Sequence, residues 1–176
     1  MRYKEEIVRA MEWIGEQPSS LFIGQAVTNP GHAMSSTLTN IPLEKKIELP
    51  VFEETQTGMA IGLALEGYKV VSCYPRFDFF ILGLNQLVNH LDKIREMSFN
   101  TFTPKVILRV GVGAKRPVDA GPQHTQNHTQ ALKLMLTDTE VVELLEPSQI
   151  FDAYIEAFST PKSYLFVEHI EYYSSK

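Results

Sequence analysis

The chain has 176 residues, which is enough for one domain with a substantial hydrophobic core. Its composition, 44% hydrophobic and 21% charged, is that of an ordinary soluble globular protein, without internal repeats or low-complexity tracts. The net charge of −5 gives no support to binding of nucleic acid or of an anionic membrane surface.

The first half of the chain alternates helical and strand patterns. Apolar residues at helical spacing from Ile7 to Ile14 predict an amphipathic helix that ends before Pro18. The tripeptide Asn29-Pro30-Gly31 and the Ser and Thr residues around it predict a long loop. Up to residue 74 the predicted elements are a helix over 3–16, a strand over 21–24, a loop over 26–45, a short strand over 46–49, a helix over 54–66 and a strand over 68–74.

The second half continues the alternation. Apolar residues recur at helical spacing from Phe80 to Ile94, and the stretch KVILRVGVG reads as a buried strand that runs into glycines. The predicted elements are a helix over 79–98, a strand over 105–113, a loop over 120–128, a helix over 129–136, a strand over 140–145, a helix over 148–158 and a strand over 164–169. Short apolar strands that alternate with helices predict an α/β fold with a parallel sheet covered on both faces.

Polar and aromatic residues are concentrated in the loops that follow the predicted strands. Ligand sites in parallel α/β sheets lie at the carboxyl ends of the strands, so these loops are where a site is expected. They carry Gln25, Glu53, the run YPRFDFF (74–80) and the run GPQHTQNH (121–128).

Four segments resemble motifs of one enzyme family. The segment PVFEETQTGMAIGLAL is similar to P-I-S-E-x-x-x-x-G-x-A-x-G-x-A of thiamine diphosphate enzymes. FDFFILGLNQLVNHLDKIREMS, GPQHTQNH and VVELLEPSQIFDAYIEAF are similar to motifs of the β-subunits of 2-oxo acid dehydrogenase complexes. All four keep their order and nearly their spacing, so the chain resembles a stand-alone transketolase-like pyrimidine-binding domain. The resemblance implies a three-layer α/β/α fold with a mainly parallel, six-stranded sheet.

The resemblance gives Glu53 a chemical role. In this family the matching glutamate binds N1′ of the cofactor's aminopyrimidine ring. By passing a proton through N1′, it converts the 4′-amino group to an imino base, and this base removes the thiazolium C2 proton. The alternative is an acid at a helix N-terminus, favoured there by the helix dipole. For Glu54, the next residue, that alternative is the better interpretation.

Four further residues match family positions at the cofactor. Phe79 falls where the family packs an aromatic ring against the pyrimidine, although it also lies between core-like phenylalanines. Pro75 matches a contact to the same ring. His124 matches a histidine on the thiazolium side, where an imidazole moves protons or stabilises an oxyanion; a hydrogen-bonded loop histidine is the alternative. Gln25 stands where many relatives have an acid, near the entry of the cofactor.

The sequence lacks the family's G-D-G…N motif for magnesium and diphosphate, and RVGVGAKRP has neither the acids nor the spacing to replace it. The resemblance therefore implies that thiamine diphosphate is shared with a partner chain that carries the diphosphate-binding module and Mg²⁺, and that this chain provides no metal ligand. We expect one domain over residues 1–176, without the C-terminal domain of the family's β-subunits. We also expect a homodimer through the 79–97 helix, and a heterotetramer with the partner.

Two functions remain open at this point. The chain is either the pyrimidine subunit of a split thiamine diphosphate enzyme that acts on a 2-oxo acid or a ketose, or a non-catalytic paralogue that serves as a binding or assembly module. A single cysteine, Cys73, fits a reducing compartment, and acids lie where a signal peptide needs an apolar core. No apolar run reaches the roughly 20 residues of a membrane span. We expect a cytoplasmic protein.

Overall fold

The computed structural model describes residues 2–29 and 31–176, and it contains a six-stranded, all-parallel sheet with the strand order β2-β1-β3-β4-β6-β5. This confirms the predicted fold. The strands are β1 (Ser20–Gly24), β2 (Lys46–Glu48), β3 (Lys69–Tyr74), β4 (Val106–Val112), β5 (Glu140–Leu144) and β6 (Tyr164–His169). The helices are α1 (Tyr3–Glu16), α2 (Glu53–Leu65), α3 (Phe77–Phe80), α4 (Ile94–Met97), α5 (Thr129–Met135), α6 (Pro147–Ser159) and α7 (Tyr172–Ser175).

Two hydrophobic cores lie on opposite faces of the sheet. Neighbouring strand residues are divided between them, as Phe22 and Ile23 in β1 and Phe166 and Leu165 in β6 show. Helices α1 and α6 cover the first face, and α2, α5 and the segment 77–97 cover the second. Because both faces of its centre are buried, the central strands β1, β3, β4 and β6 are mostly apolar rather than alternating, as expected of a parallel sheet. The edge strands β2 and β5 are more polar.

The predicted helix over 79–98 is wrong as a single element. The segment consists of α3, a 3-10 turn over Ile81–Gly83, a π-helical turn over Gln86–Leu91 and α4. A Cβ atom on Gly83 would lie 2.7 Å from Thr57 Oγ1 and 3.1 Å from the Glu53 carbonyl oxygen, so the segment is pressed against the first turn of α2. Asp92 directly follows the π turn, and its buried carboxylate accepts hydrogen bonds from the backbone N–H groups of Thr137, Asp138 and Thr139.

The predicted loop over 26–45 contains two 3-10 turns, Met34–Thr37 and Leu43–Lys45, and its Pro30 lies outside the described residues. The other predicted elements are confirmed to within two residues at each end. None of the helices in the described ranges is both long and apolar enough to cross a membrane.

A buried ion pair connects two central strands on the α1–α6 face of the sheet. Arg109 of β4 donates from Nε to Glu168 Oε1 of β6 over 2.6 Å and from Nη2 to Oε2 over 3.0 Å, and both side chains are fully buried. Tyr154 and Tyr173 also donate to this carboxylate, and Thr37 Oγ1 accepts from Arg109. Burying two charges requires this degree of hydrogen bonding.

Candidate functional site

A cavity of about 370 Å³ opens at the carboxyl ends of β1, β2 and β3, where the strand pattern predicts a site. Its volume lies in the range of small-molecule sites. All five residues predicted for the site line it, although their chemical roles remain predictions. The lining residues are Gln25, His32, Val51, Phe52, Glu53, Gln56, Tyr74, Pro75, Arg76, Phe79 and His124.

Glu53 is the first residue of α2, and its side chain is buried at the cavity wall. Its Oε2 atom is inaccessible to solvent and has no hydrogen-bond partner among the residues that the structure describes. A buried carboxylate oxygen without a partner costs free energy and is rare in folded proteins. Glu54 differs, because it is exposed and accepts a 3.2 Å hydrogen bond from Asn85. The geometry thus places at the cavity wall a carboxylate whose Oε2 has no partner among the described residues.

A short chain of hydrogen bonds fixes the backbone beneath Glu53. Thr57 Oγ1 bonds to the Glu53 carbonyl oxygen over 2.8 Å and to the Tyr74 hydroxyl over 2.7 Å. Gln56 Nε2 donates to Ser72 Oγ and to the Cys73 carbonyl oxygen, each over 3.0 Å. These contacts tie the first turn of α2 to the end of β3. The orientation of Glu53 is therefore set by the core of the protein and not by a flexible loop.

The two phenylalanines on either side of Asp78 have different environments. Phe77 is fully buried and packs against Phe80 in the core, whereas Phe79 is 38% exposed and lines the cavity. Of the two, only Phe79 therefore has a face available to a ligand. A flat aromatic ring at such a position favours a planar heteroaromatic group.

His124 is held against the cavity by the loop 121–128. The loop approaches β4 so closely that a Cβ atom on Gly113 would lie 1.8 Å from the His124 carbonyl oxygen. The buried Asp78 carboxylate accepts hydrogen bonds from the Gln126 backbone N–H over 3.1 Å and from Gln126 Nε2 over 3.0 Å. The same short helix that carries Phe79 thereby anchors the loop that carries His124.

The segment around Gln25 is fixed from two sides. Glu48 accepts hydrogen bonds from the backbone N–H groups of Ala26 and Thr28 and from the Thr28 hydroxyl. Burial alone would raise the pKa of Glu48, but the hydrogen bonds from Thr28 and Ala26 outweigh it and lower this pKa. Ala26 itself has a positive φ of 55°. Glu48 is the last residue of β2, so this contact links the loop to the sheet.

His32 provides the second anchor. Ser35 donates its backbone N–H to His32 Nδ1 over 3.2 Å, so the imidazole proton lies on Nε2, which donates to the Gln25 carbonyl oxygen over 3.2 Å. Burial lowers the pKa of His32 and the positive charge of Arg76 lowers it further, against the hydrogen bond to Gln25. The neutral imidazole is thus a structural group whose two nitrogens are both occupied.

Sequence patterns did not identify His32, Tyr74 and Arg76 as lining residues. Tyr74 and Arg76 lie in the run YPRFDFF, directly after the end of a strand, and that position was a usable signal. His32 lies in the long loop, where no periodicity indicates which side chains point inward. Within the described ranges, no three His, Cys, Asp or Glu side chains are placed together to hold a metal ion.

The donor set of the cavity can be tested against the aminopyrimidine of thiamine diphosphate. This group is a flat ring with a ring nitrogen and an amino group as its polar atoms. The cavity has one exposed aromatic face at Phe79, apolar contacts at Pro75 and Phe52, and the unpartnered carboxylate oxygen of Glu53. The residues present therefore fit this half of the cofactor.

Comparison with known proteins gives relatives of one kind. No protein-family model matches the chain. It is 26% identical over 187 aligned positions to the pyruvate dehydrogenase E1 component subunit beta of Cyanidium caldarium, an alignment that covers 100% of the chain and 54% of the relative. It is 24% identical over 157 positions to the 2-oxoisovalerate dehydrogenase subunit beta of Bacillus subtilis, covering 87% and 46%. The chain thus spans about half the length of the curated relatives it matches.

Solved structures agree on the fold. A split-gene transketolase, described as an inactive beta4 tetramer, superimposes with a TM-score of 0.73 at 13% identity, over 96% of this chain and 51% of that one. A transketolase from Campylobacter jejuni gives a TM-score of 0.75 at 11% identity, over 96% and 25%. The resemblance predicted from the motifs is confirmed: the similar sequences are E1 beta subunits, and the fold is the transketolase-like α/β fold.

Proposed function

We propose that the chain is the pyrimidine-binding subunit of a thiamine diphosphate-dependent enzyme that acts on a 2-oxo acid or a ketose. The observation that carries the proposal is the buried, unpartnered Oε2 of Glu53 at the wall of a cavity that Phe79 and His124 also line. The E1 beta relatives support the cofactor class, and the transketolase neighbours support the fold in which it would bind.

Glu53 would bind the ring nitrogen N1′ through its carboxyl group and exchange a proton with it. Only a carboxyl group does both, because an amide in the same place offers a hydrogen bond but cannot release a proton at neutral pH. The burial of Glu53 and the fixed first turn of α2 hold this carboxyl group in place. When bound, thiamine diphosphate supplies the carbon nucleophile and the electron sink for a bond next to a carbonyl.

The remaining lining residues would bind and orient. Phe79 and Pro75 would pack against the planar aminopyrimidine ring, and Gln25 would hydrogen-bond near the entry of the cavity. His124 would face the reacting end, where a nearby imidazole can move a proton to or from the substrate oxygen. The apolar surface of Val51 and Phe52 would exclude water from this space.

A second polypeptide would complete the site. We propose that it carries the diphosphate-binding module together with Mg²⁺, and that two copies of each chain form a heterotetramer. The chain's cavity offers one carboxylate and one guanidinium, which does not suit a hydrated magnesium diphosphate. The transketolase neighbour encoded by split genes supports a division of such an enzyme over two chains.

A non-catalytic binding or assembly module is the second candidate. Gln25 favours it, because a neutral amide stands at the cavity where many relatives of the family have an acid. Both candidates share the fold, so fold alone does not separate them. They differ in whether the chain and its partner together bind the cofactor and convert a substrate.

Calorimetry with the pure chain and with the co-expressed pair tests the proposal. Thiamine diphosphate with Mg²⁺ should bind weakly or not at all to the chain alone, and tightly to the pair with one site per pyrimidine chain. Tight, magnesium-dependent binding by the pure chain would contradict a divided site. A stable pair that binds no cofactor would support the assembly module.

A further inference from the structure

Arg76 is the one residue with a permanent positive charge among those that line the cavity in the described ranges. It follows Pro75, directly after β3, and is half-buried. Its Nη1 donates a 3.2 Å hydrogen bond to the carbonyl oxygen of Pro75. No carboxylate of the described residues lies within 4.0 Å of its guanidinium group. Most of its five N–H donors are therefore available.

The neighbours of Arg76 do not neutralise it. The Arg76 charge acts on His32, whose imidazole is neutral and uses both nitrogens within the protein. Glu53 is the one carboxylate among the described lining residues, and in the proposed function it is taken up by the cofactor. The cavity thus keeps one cation without a carboxylate partner among the described residues.

We infer that Arg76 forms an oxyanion subsite, which binds the carboxylate of a 2-oxo acid or the phosphate of a sugar phosphate. This inference rests on the proposed function for the identity of the substrate, and on the cavity alone for the presence of the site. The planar fork of a guanidinium matches both oxyanions with two parallel hydrogen bonds. Arg76 would then fix one end of the substrate in the cavity that His124 also lines. Arg76 is a specificity-determining residue and not a catalytic one.

The test is a titration of the pure chain, since every residue of the proposed subsite belongs to it. Pyruvate and inorganic phosphate are added separately at constant ionic strength with sodium chloride, and the guanidinium and imidazole resonances of Arg76, His32 and His124 are followed by NMR. We expect saturable shifts for at least one of the two anions. The anion that binds more tightly distinguishes a carboxylate from a phosphate subsite.

Variants separate the subsite from general anion binding. Arg76→Met should weaken binding at least about tenfold, and Arg76→Lys, which keeps the charge but not the fork, should weaken it less. Arg2→Met is the matched control, because it removes the same charge from a side chain that is 81% exposed and outside the cavity. Urea unfolding of each variant shows that it is folded.

Two results would overturn the inference: no saturable shift with either anion in the unmodified chain, or equal affinity in the unmodified chain and in Arg76→Met. Either result leaves the proposed function standing if the chain and its partner bind thiamine diphosphate. Conversely, the chain could show Arg76-dependent anion binding while the chain and its partner together bind no cofactor. That result would contradict the proposed function and support the subsite.

Discussion

The ring of Phe79 meets the ring of His124 edge to face, with 5.4 Å between the ring centroids and an angle of 83° between the planes. These residues are 45 positions apart in the chain and come from α3 and from the loop 121–128. Their contact joins two of the five residues predicted for the site. The Asp78–Gln126 hydrogen bonds lie beside it and fix the same pair of segments.

The exposed position of Phe79 predicts that its loss affects ligand binding more than folding. Phe77→Ala should destabilise the chain by about 3–5 kcal/mol, because it leaves a cavity in a closed core. Phe79→Ala should cost clearly less, and it should weaken thiamine diphosphate binding by the assembled pair. Urea unfolding and calorimetry measure the two effects. Equal destabilisation by both substitutions would make Phe79 a core residue only.

The close approach of Gly113 to the His124 loop predicts that a side chain at position 113 displaces this loop. Gly113→Ala should displace the loop, since backbone atoms of His124 leave no room for a methyl group, and should shift the His124 imidazole resonances. Gly62→Ala is the matched control: the added Cβ meets nothing within 4 Å, and an alanine within α2 should stabilise by about 0.5–1 kcal/mol. Unchanged His124 resonances in Gly113→Ala would refute the packing of the loop.

The sequence predicted the sheet because each buried strand is a short apolar run between turn residues, a local pattern. It did not predict the break-up of 79–98, since apolar spacing does not record that Gly83 lies against α2 or that Asp92 is bonded to the turn after α5. The residues next to Arg109 in the sequence also do not indicate that its side chain is buried. Its partner Glu168 is 59 residues away, on the adjacent strand.

The site also combines residues that sequence motifs predict with residues placed by contacts that no local pattern encodes. Glu53, Phe79 and His124 could be placed from ordered motifs, and the structure brings them to one cavity. Arg76 follows directly after a strand, which indicated its location but not that its side chain lines the cavity. His32 could not be placed, because its position depends on how an irregular loop folds over the strand ends. His32 reaches the cavity through hydrogen bonds to Gln25 and Ser35, and no spacing in the sequence encodes them.

The lowered pKa of His32 predicts a pH dependence of stability. In the unfolded chain the imidazole takes up a proton near its ordinary pKa of 6.5, but in the folded chain burial disfavours the charged form. The neutral group therefore contributes its full stability above pH 6.5, and this contribution is lost as the pH falls from 6.5 through the lower folded pKa. Urea unfolding between pH 7.5 and 5 measures it, and His32→Gln should flatten the curve. His90→Gln, at an exposed position, is the control for replacing a histidine by glutamine.

Exposed apolar side chains on the segment 77–97 predict self-association there. Ile81 is 46% and Leu82 61% exposed, next to the exposed Phe79. We expect a dimer for the pure chain, and Leu82→Glu should shift it to monomer because the interface would bury an unpaired charge. Leu134→Glu on α5 is the control, since Leu134 is 88% exposed and lies outside this segment. Light scattering measures the molar mass of each variant. An unmodified chain that is already monomeric would contradict the proposed interface.

Proton exchange at the thiazolium C2 of thiamine diphosphate, followed by NMR in the assembled pair, tests the role of Glu53 most directly. Glu53→Gln should leave cofactor binding largely intact and slow the exchange by about 100-fold or more, since an amide forms the hydrogen bond but cannot cycle the proton. Glu54→Gln removes the same charge one residue later, from an exposed side chain, and should exchange at the unmodified rate. Near-normal exchange in Glu53→Gln, or equal slowing in both variants, would contradict the account.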